Sequence, residues 1–269
     1  MAEIPVFDWG GGLDGVAEAV WNGAGCAIVR GFPVDSDGAR ELYLATAGRL
    51  GRVVPQTVGG TLIYSVRDEG YSLERDFGKA GVRTSKTTSA FGFHTDSPSR
   101  MAGHTPDVLG LLVLQTARSG GESIFVDGRA VYRTMLAERP LFLERLCRPF
   151  AVDRRAELPA GAAPFLDVPV FALAPAFQVR YLRLYIEKGA ELAGVALTDF
   201  EREALDYFEA VCERLAVRME LRRGDIQFLN NVTHLHGRTA YEDYPEPERK
   251  RHYLRIWVER EDGNGDENS

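Results

Sequence analysis

Three short stretches hold the residue types that could do chemistry. Phe93-His94-Thr95-Asp96 sets an imidazole and a carboxylate two positions apart. On an extended segment residues i and i+2 point the same way, so the two side chains can hold one metal ion together. Chance gives roughly 0.3 His-x-Asp spacings in a chain of this composition, so the pair alone reads better as a surface turn whose Asp accepts a hydrogen bond. The second stretch runs from Gly224-Asp225 through Asn230-Asn231 to His234-Leu235-His236-Gly237-Arg238. The third is Arg249-Lys250-Arg251-His252-Tyr253-Leu254-Arg255-Ile256-Trp257. As a strand it would set Arg251, Tyr253, Arg255 and Trp257 on one face, and His252, Leu254, Ile256 and Val258 on the other. An aliphatic face opposite two guanidiniums suggests a polar cavity. Arg249 and Lys250 read as a solvated basic turn.

The elements that must position these residues are mainly strands. Cys26 to Val29, Val108 to Leu114, Ser123 to Val126, Phe177 to Ile186, Arg218 to Leu221, Ile226 to Leu229 and Tyr253 to Val258 all read as strand. Helices are expected over Asp14–Trp21, Asp37–Leu50 and Arg129–Arg139, with a further piece after Pro140 ending near Leu146. The clearest helix begins at Thr198, where Glu201 completes a capping box and Phe200, Ala204, Phe208, Val211 and Leu215 recur at helical spacing. Ser119-Gly120-Gly121 reads as a turn, and Phe150 to Phe171 as a Pro/Ala/Gly-rich loop. The pattern is a β-sheet core with flanking helices.

Composition narrows the function further. The 269 residues carry 32 Lys+Arg against 39 Asp+Glu, a net charge of −7, which disfavours general nucleic-acid or anionic-membrane binding. Hydrophobic content of 45% fits a globular chain with a buried core. Cys26, Cys147 and Cys212 are widely spaced and form no CxxC pair, so reduced buried thiols in a cytoplasmic protein are expected. Met1 to Pro5 shows no signal-peptide pattern, and the most apolar run, Val108 to Leu114, is too short to span a bilayer. The tail Glu259–Ser269 is acidic and reads as frayed, leaving one domain over residues 1–258.

In this order the motifs resemble the taurine dioxygenase and clavaminate synthase-like (TauD/TfdA-type) family of Fe(II)/2-oxoglutarate-dependent dioxygenases. The resemblance extends from the Gly25–Phe32 segment to Val258 and implies a double-stranded β-helix (jelly-roll) core. It implies that His94, Asp96 and His236 hold Fe(II), two imidazoles and a carboxylate leaving positions for 2-oxoglutarate and O2. The far carboxylate of 2-oxoglutarate would go to the fork of Arg251, helped by the hydroxyl of Ser123, where relatives more often have Thr. The spacing of His236 from Arg251 is somewhat long, and Arg255 is the alternative partner. Asn231 and the following Gly237-Arg238 favour His236 over His234, which then reads as a pocket or packing residue. His104 reads as a solvent or lid residue and His252 as structural.

For the substrate, the resemblance points to Arg255, the second Arg of an Arg-x-x-x-Arg pattern, or else to a core ion pair for it. Asn231, Tyr64 in a charged segment over 64–77, and one Arg of Arg180-Tyr181-Leu182-Arg183, taken as Arg183, are further candidates. Several arginines near the mouth suggest a small anionic or zwitterionic, amino-acid-like substrate. Asp96 stands where related halogenases have Gly or Ala, so C–H hydroxylation with release of succinate and CO2 is the simplest outcome, with desaturation or ring closure open. Two other classes compete: a metal-dependent hydrolase on the same triad, which gives no reason for Arg251 with Ser123, and a noncatalytic β-helix binding module, which needs no ligands.

Overall fold

The computed structural model describes residues 4–57, 59–71, 83–98, 105–155 and 161–261. Two facing sheets form its centre. Their strands, in chain order, are β1 (Val6–Asp8), β2 (Cys26–Arg30), β3 (Arg52–Val54), β4 (Tyr64–Val66), β5 (Phe91–His94) and β6 (Val108–Gln115). They continue with β7 (Ser123–Asp127), β8 (Val217–Met219), β9 (Ile226–Asn230), β10 (His234–Arg238) and β11 (His252–Glu259). The larger sheet runs β1-β2-β9-β6-β11-β3, with β4 also paired to β11, and the smaller runs β8-β7-β10-β5. All these pairings are antiparallel except β1 with β2. This is the expected mainly-β jelly roll with flanking helices.

The strand periodicity explains why both sheets are covered on both faces. In β6, Val108 and Leu112 pack outward against helices α1 (Val16–Trp21) and α2 (Ala39–Ala47), with Leu254, Ile256 and Val258 of β11 beside them. Alternate residues turn inward: Leu109 meets Phe125 of β7 and Trp257 of β11 between the sheets. The smaller sheet's outer face, through Ile124, Val126 and Leu235, packs on four further helices. These are α3 (Gly128–Glu138), α4 (Pro140–Leu146), α5 (Arg183–Leu192) and α6 (Asp199–Leu215). Helix α6 starts with the complete Thr198/Glu201 capping box expected from its sequence. The outward aliphatic and inward polar faces of β11 are as its alternation requires.

Two stretches depart from the sequence expectation. Only Gln178–Val179 of the segment 177–186 is strand, and α5 begins at Arg183. The buried residues Ile186, Gly189 and Ala190 keep helical spacing, and a side chain at Gly189 would run into the Ala151 carbonyl. Tyr181 and Leu182, extended beside the His94 strand, give that segment its strand-like look. The stretch 150–171 contains a hairpin of Phe150–Asp153 with Phe165–Val168, and Phe171–Ala172 then pairs with Gln178–Val179. Alanine and proline dilute its alternation, so it reads as loop. Ser119–Gly120 is a short strand paired with Tyr241–Glu242.

The three cysteines are free. Among the described residues no helix is long and apolar enough to cross a membrane. His104, residues 72–77 of the charged segment and tail residues 262–269 lie outside the described residues. Glu259 ends β11, and the Arg260 amide donates to Asp107, so the described start of the tail is tied to the body.

Candidate active site

His94 ends β5 and lies in register opposite His236 of β10, so antiparallel pairing brings together two imidazoles 142 positions apart. Asp96 follows where the chain leaves the strand. The Thr95 amide donates to the Tyr181 carbonyl (2.8 Å), and the Thr95 hydroxyl accepts from the Tyr181 amide (3.1 Å). The chain then turns at Ser97, whose φ of 54° lies in the left-handed region. His94 donates through Nδ1 to the Gly92 carbonyl (2.9 Å), which leaves Nε2 for a ligand. Nε2 of His94 is 3.8 Å from Asp96 Oδ1, and Nε2 of His236 is 3.9 Å from the same oxygen. One donor atom from each of the three buried residues lies within 4.8 Å of the others.

The protonation states suit a divalent cation. Burial, reinforced by His236, holds the His94 pKa well below its ordinary value, and burial pushes His236 down to about 4. Both imidazoles are therefore neutral near pH 7, with lone pairs free to ligate. Burial would raise the Asp96 carboxyl, but Arg255 and the two imidazoles outweigh it and the pKa falls. Two nitrogens and one carboxylate oxygen on one side of a cavity form the donor set of non-haem Fe(II) oxygenases. Nδ1 of His236 is buried without a hydrogen-bond partner, so its ring is oriented by packing.

A cage of side chains holds the Asp96 carboxylate and backbone. Trp257 Nε1 donates to Oδ2 (2.7 Å), and Arg255 Nη1 reaches Oδ1 (3.2 Å) and Oδ2 (3.1 Å). Gln56 Oε1 in turn accepts from Arg255 Nε. Asn231 is spent on backbone: its Oδ1 accepts from the Asp96 amide, and its Nδ2 donates to the carbonyls of Asp96 and Pro106. Its side chain braces the ligand loop, whereas the sequence reading gave it to the substrate.

The triad lies in a cavity of about 510 Å³, including its open mouth. Ser123, Arg238, Arg251 and Arg255 line it along with apolar side chains such as Leu109 and Leu111. Arg251 is buried, its Cζ 3.7 Å from the Tyr253 ring centroid, and its Nε and Nη1 have no hydrogen-bond partner. Ser123 donates its hydroxyl to Gln227 Oε1 (2.8 Å). Tyr64 stands beside Arg255, its ring centroid 5.0 Å from the guanidinium and 5.8 Å from Lys86 Nζ. Arg183 is elsewhere: it pairs with Glu187 and Asp206 and ties α5 to α6. Its neighbour Arg180 is half-buried and donates to the neutral Gln178. His234 is packed so tightly on Gly25 that a side chain there would overlap its ring, and its Nδ1 meets the Thr233 hydroxyl. His252 contacts Ser65.

Sequence reasoning passed over Arg238. It lies two residues beyond His236 on β10, so the rule that joined His94 to Asp96 places it on the cavity face.

Fold and site together define a mononuclear iron oxygenase on a jelly-roll scaffold. Residues 7–257 match the family described as "Taurine catabolism dioxygenase TauD, TfdA family", and the chain belongs to it. It is a 2-oxoglutarate-dependent dioxygenase that uses Fe(II) and O2. FR-33289 synthase of Streptomyces rubellomurinus (strain ATCC 31215) is 29% identical over 255 residues, covering 91% of this chain and 72% of that protein. Among solved structures, an asparagine oxygenase with Fe(II), 3-hydroxyasparagine and succinate aligns with a TM-score of 0.70 at 21% identity, covering 90% of this chain and 77% of that one. The non-haem iron oxygenase OrfP with Fe, succinate and a dihydroxyarginine gives 0.64 at 15% identity, with coverages of 92% and 81%. OrfP has also been solved with Fe and α-ketoglutaric acid.

Proposed function

We propose that residues 1–258 form one catalytic domain that hydroxylates a C–H bond of a small anionic or zwitterionic, amino-acid-like molecule. The observation that carries this is the cavity itself: it holds a neutral-imidazole and carboxylate triad, with Arg255 in its lining and Arg251, whose Nε and Nη1 have no hydrogen-bond partner. His94, Asp96 and His236 would hold the iron. Bound there with 2-oxoglutarate and O2, iron supplies the oxidation, one oxygen atom going to succinate with loss of CO2 and the other into the substrate. Arg251 supplies a permanently charged fork for the far carboxylate of 2-oxoglutarate, and Ser123 stands beside that end. Arg255 keeps Asp96 ionised and presents positive charge to an anionic substrate group. Leu109 and Leu111 keep the cavity wall apolar between these ends. The asparagine and arginine products bound in the two structural neighbours support an amino-acid-like substrate. Family membership displaces the hydrolase and noncatalytic alternatives.

A succinate-release screen across amino acids, small peptides and other carboxylates tests the substrate class. At least one acidic or zwitterionic compound should raise turnover well above the uncoupled background. Stimulation confined to uncharged or cationic compounds would refute it. With the substrate so found, Arg255→Gln should raise its KM by roughly tenfold or more, the scale of a lost charge-assisted contact.

A further inference from the structure

The cosubstrate end of the cavity carries more positive charge than one carboxylate hydrogen-bonded to Arg251 would need. Arg238 and Arg251 are both buried and both line the cavity. The two guanidiniums flank one ring, their Cζ atoms 4.6 Å and 5.2 Å from the Tyr241 centroid. Arg238 donates from Nη2 to the Thr87 carbonyl (3.0 Å), and its Nη1 has no partner among the described residues. Arg251 lacks partners at Nε and Nη1. Burying a cation without a counter-charge is strongly unfavourable, and burying two side by side is worse.

Among the described residues, carboxylates near this cluster include Asp68, which pairs with Lys250 (3.6 Å), and Asp243. Oδ1 of Asp243 accepts from the Arg251 amide (2.7 Å), and its Oδ2 is buried without a partner. Asp243 is bonded to the Arg251 backbone rather than to either guanidinium, so the free guanidinium nitrogens leave room for an incoming carboxylate. Ser123 is no donor to that carboxylate, because its hydroxyl hydrogen is already given to Gln227. A second donor to the incoming carboxylate must come from another side chain on this wall.

We infer that Arg238 is a second guanidinium for the far carboxylate of 2-oxoglutarate, acting with Arg251, and that this pair sets the enzyme's selectivity for 2-oxo dicarboxylates over 2-oxo monocarboxylates. The inference rests on the reading that Arg251 faces the far carboxylate. It extends that reading to β10, the strand that also carries His236, so one strand holds an iron ligand and a cosubstrate anchor on the same face.

The test is an anaerobic titration of the Fe(II)-loaded protein, following the visible charge-transfer band of the chelate. The ligands are 2-oxoglutarate and 2-oxovalerate, which differ only in a methyl group replacing the far carboxylate. The readout is the ratio of the two Kd values. The wild-type protein should prefer 2-oxoglutarate by at least 100-fold. Arg238→Gln should weaken 2-oxoglutarate by tenfold or more and leave 2-oxovalerate within about twofold, so the ratio collapses. Arg238→Lys, which keeps the charge and loses the fork, should fall in between and serves if the Gln variant does not fold. In turnover, KM for 2-oxoglutarate should rise with kcat little changed. A wild-type ratio in Arg238→Lys, or equal weakening of both keto acids in Arg238→Gln, would overturn the inference. A wild-type protein that does not discriminate between the two keto acids would instead overturn the placement of the far carboxylate at Arg251.

Discussion

At the scale of single residues, the iron ligands are simple and their supports are not. Asp96 has its charge held by Arg255, one oxygen held by Trp257 and its backbone held on both sides by Asn231. His94 and Asp96 could be found from spacing because two residues on one strand face share a direction whatever the fold. His236 is joined to them only by the order of motifs that carries the family resemblance. The Asn231 amide spans from β9 to the ligand loop, a contact no local pattern encodes, and so the sequence reading assigned it to the substrate. Arg255 was legible as an inward guanidinium, but its partner was not, because Asp96 lies 159 positions away. These supports should matter for metal affinity. Trp257→Phe keeps the ring and removes the donor to Oδ2, so Fe(II) should bind about tenfold more weakly, the lower end for loss of a group that orients a metal ligand. Equilibrium dialysis of the variant checks this; unchanged affinity would mean that Arg255 alone orients the carboxylate.

At the scale of elements, β11 is the spine of the site because it works on both faces. Outward, Leu254, Ile256 and Val258 pack on the α1/α2 layer, while inward Arg251, Tyr253, Arg255 and Trp257 line or brace the cavity. That alternation was readable because every position of the strand obeys it. Helix α5 was not readable as helix, since its entry at Tyr181 and Leu182 is extended and its buried face, beyond Ile186, uses the small residues Gly189 and Ala190. The neighbouring strand β6 shows how close the outward layer is. A Cβ on Gly110 would lie 2.7 Å from Ile256 Cγ1 and 3.0 Å from the Tyr43 hydroxyl, which donates to the Leu254 carbonyl. Gly110→Ala gains a little stability by lowering the backbone entropy of the unfolded chain but must push these groups apart. We expect a net loss of about 1–2 kcal/mol, seen as a fall in Tm of several degrees. Because Gly110 faces away from the cavity that Leu109 and Leu111 line, KM for 2-oxoglutarate should not change. A raised KM would show that the outer layer sets the cavity's shape.

At the scale of the whole molecule, net charge and site charge have opposite signs. The chain totals −7, yet Arg238, Arg251 and Arg255 converge on one cavity between the sheets. An overall count cannot show this, because the surface dominates the sum while the fold chooses which charges face inward. The same enclosure fixes how the site answers to pH. The folded pKa values of His94 and His236 lie below the ordinary 6.5, so the unfolded chain takes up protons first as the solution is acidified. Stability of the metal-free protein is therefore highest above about pH 6.5 and declines as pH falls from there towards about 4, where His236 itself protonates. Each imidazole contributes up to about 1.4 kcal/mol per pH unit across that window. Carboxylates also titrate near its lower end, so a comparison isolates the imidazole. Replacing His236 by Ala removes one such group, and between pH 6.5 and 5 the chelator-treated variant should lose stability less steeply with pH than the chelator-treated wild type. Denaturant titrations of the two proteins at these pH values measure the difference. Parallel slopes would mean that His236 is protonated as readily in the folded protein as in the unfolded chain, and that its imidazole is not kept neutral by burial.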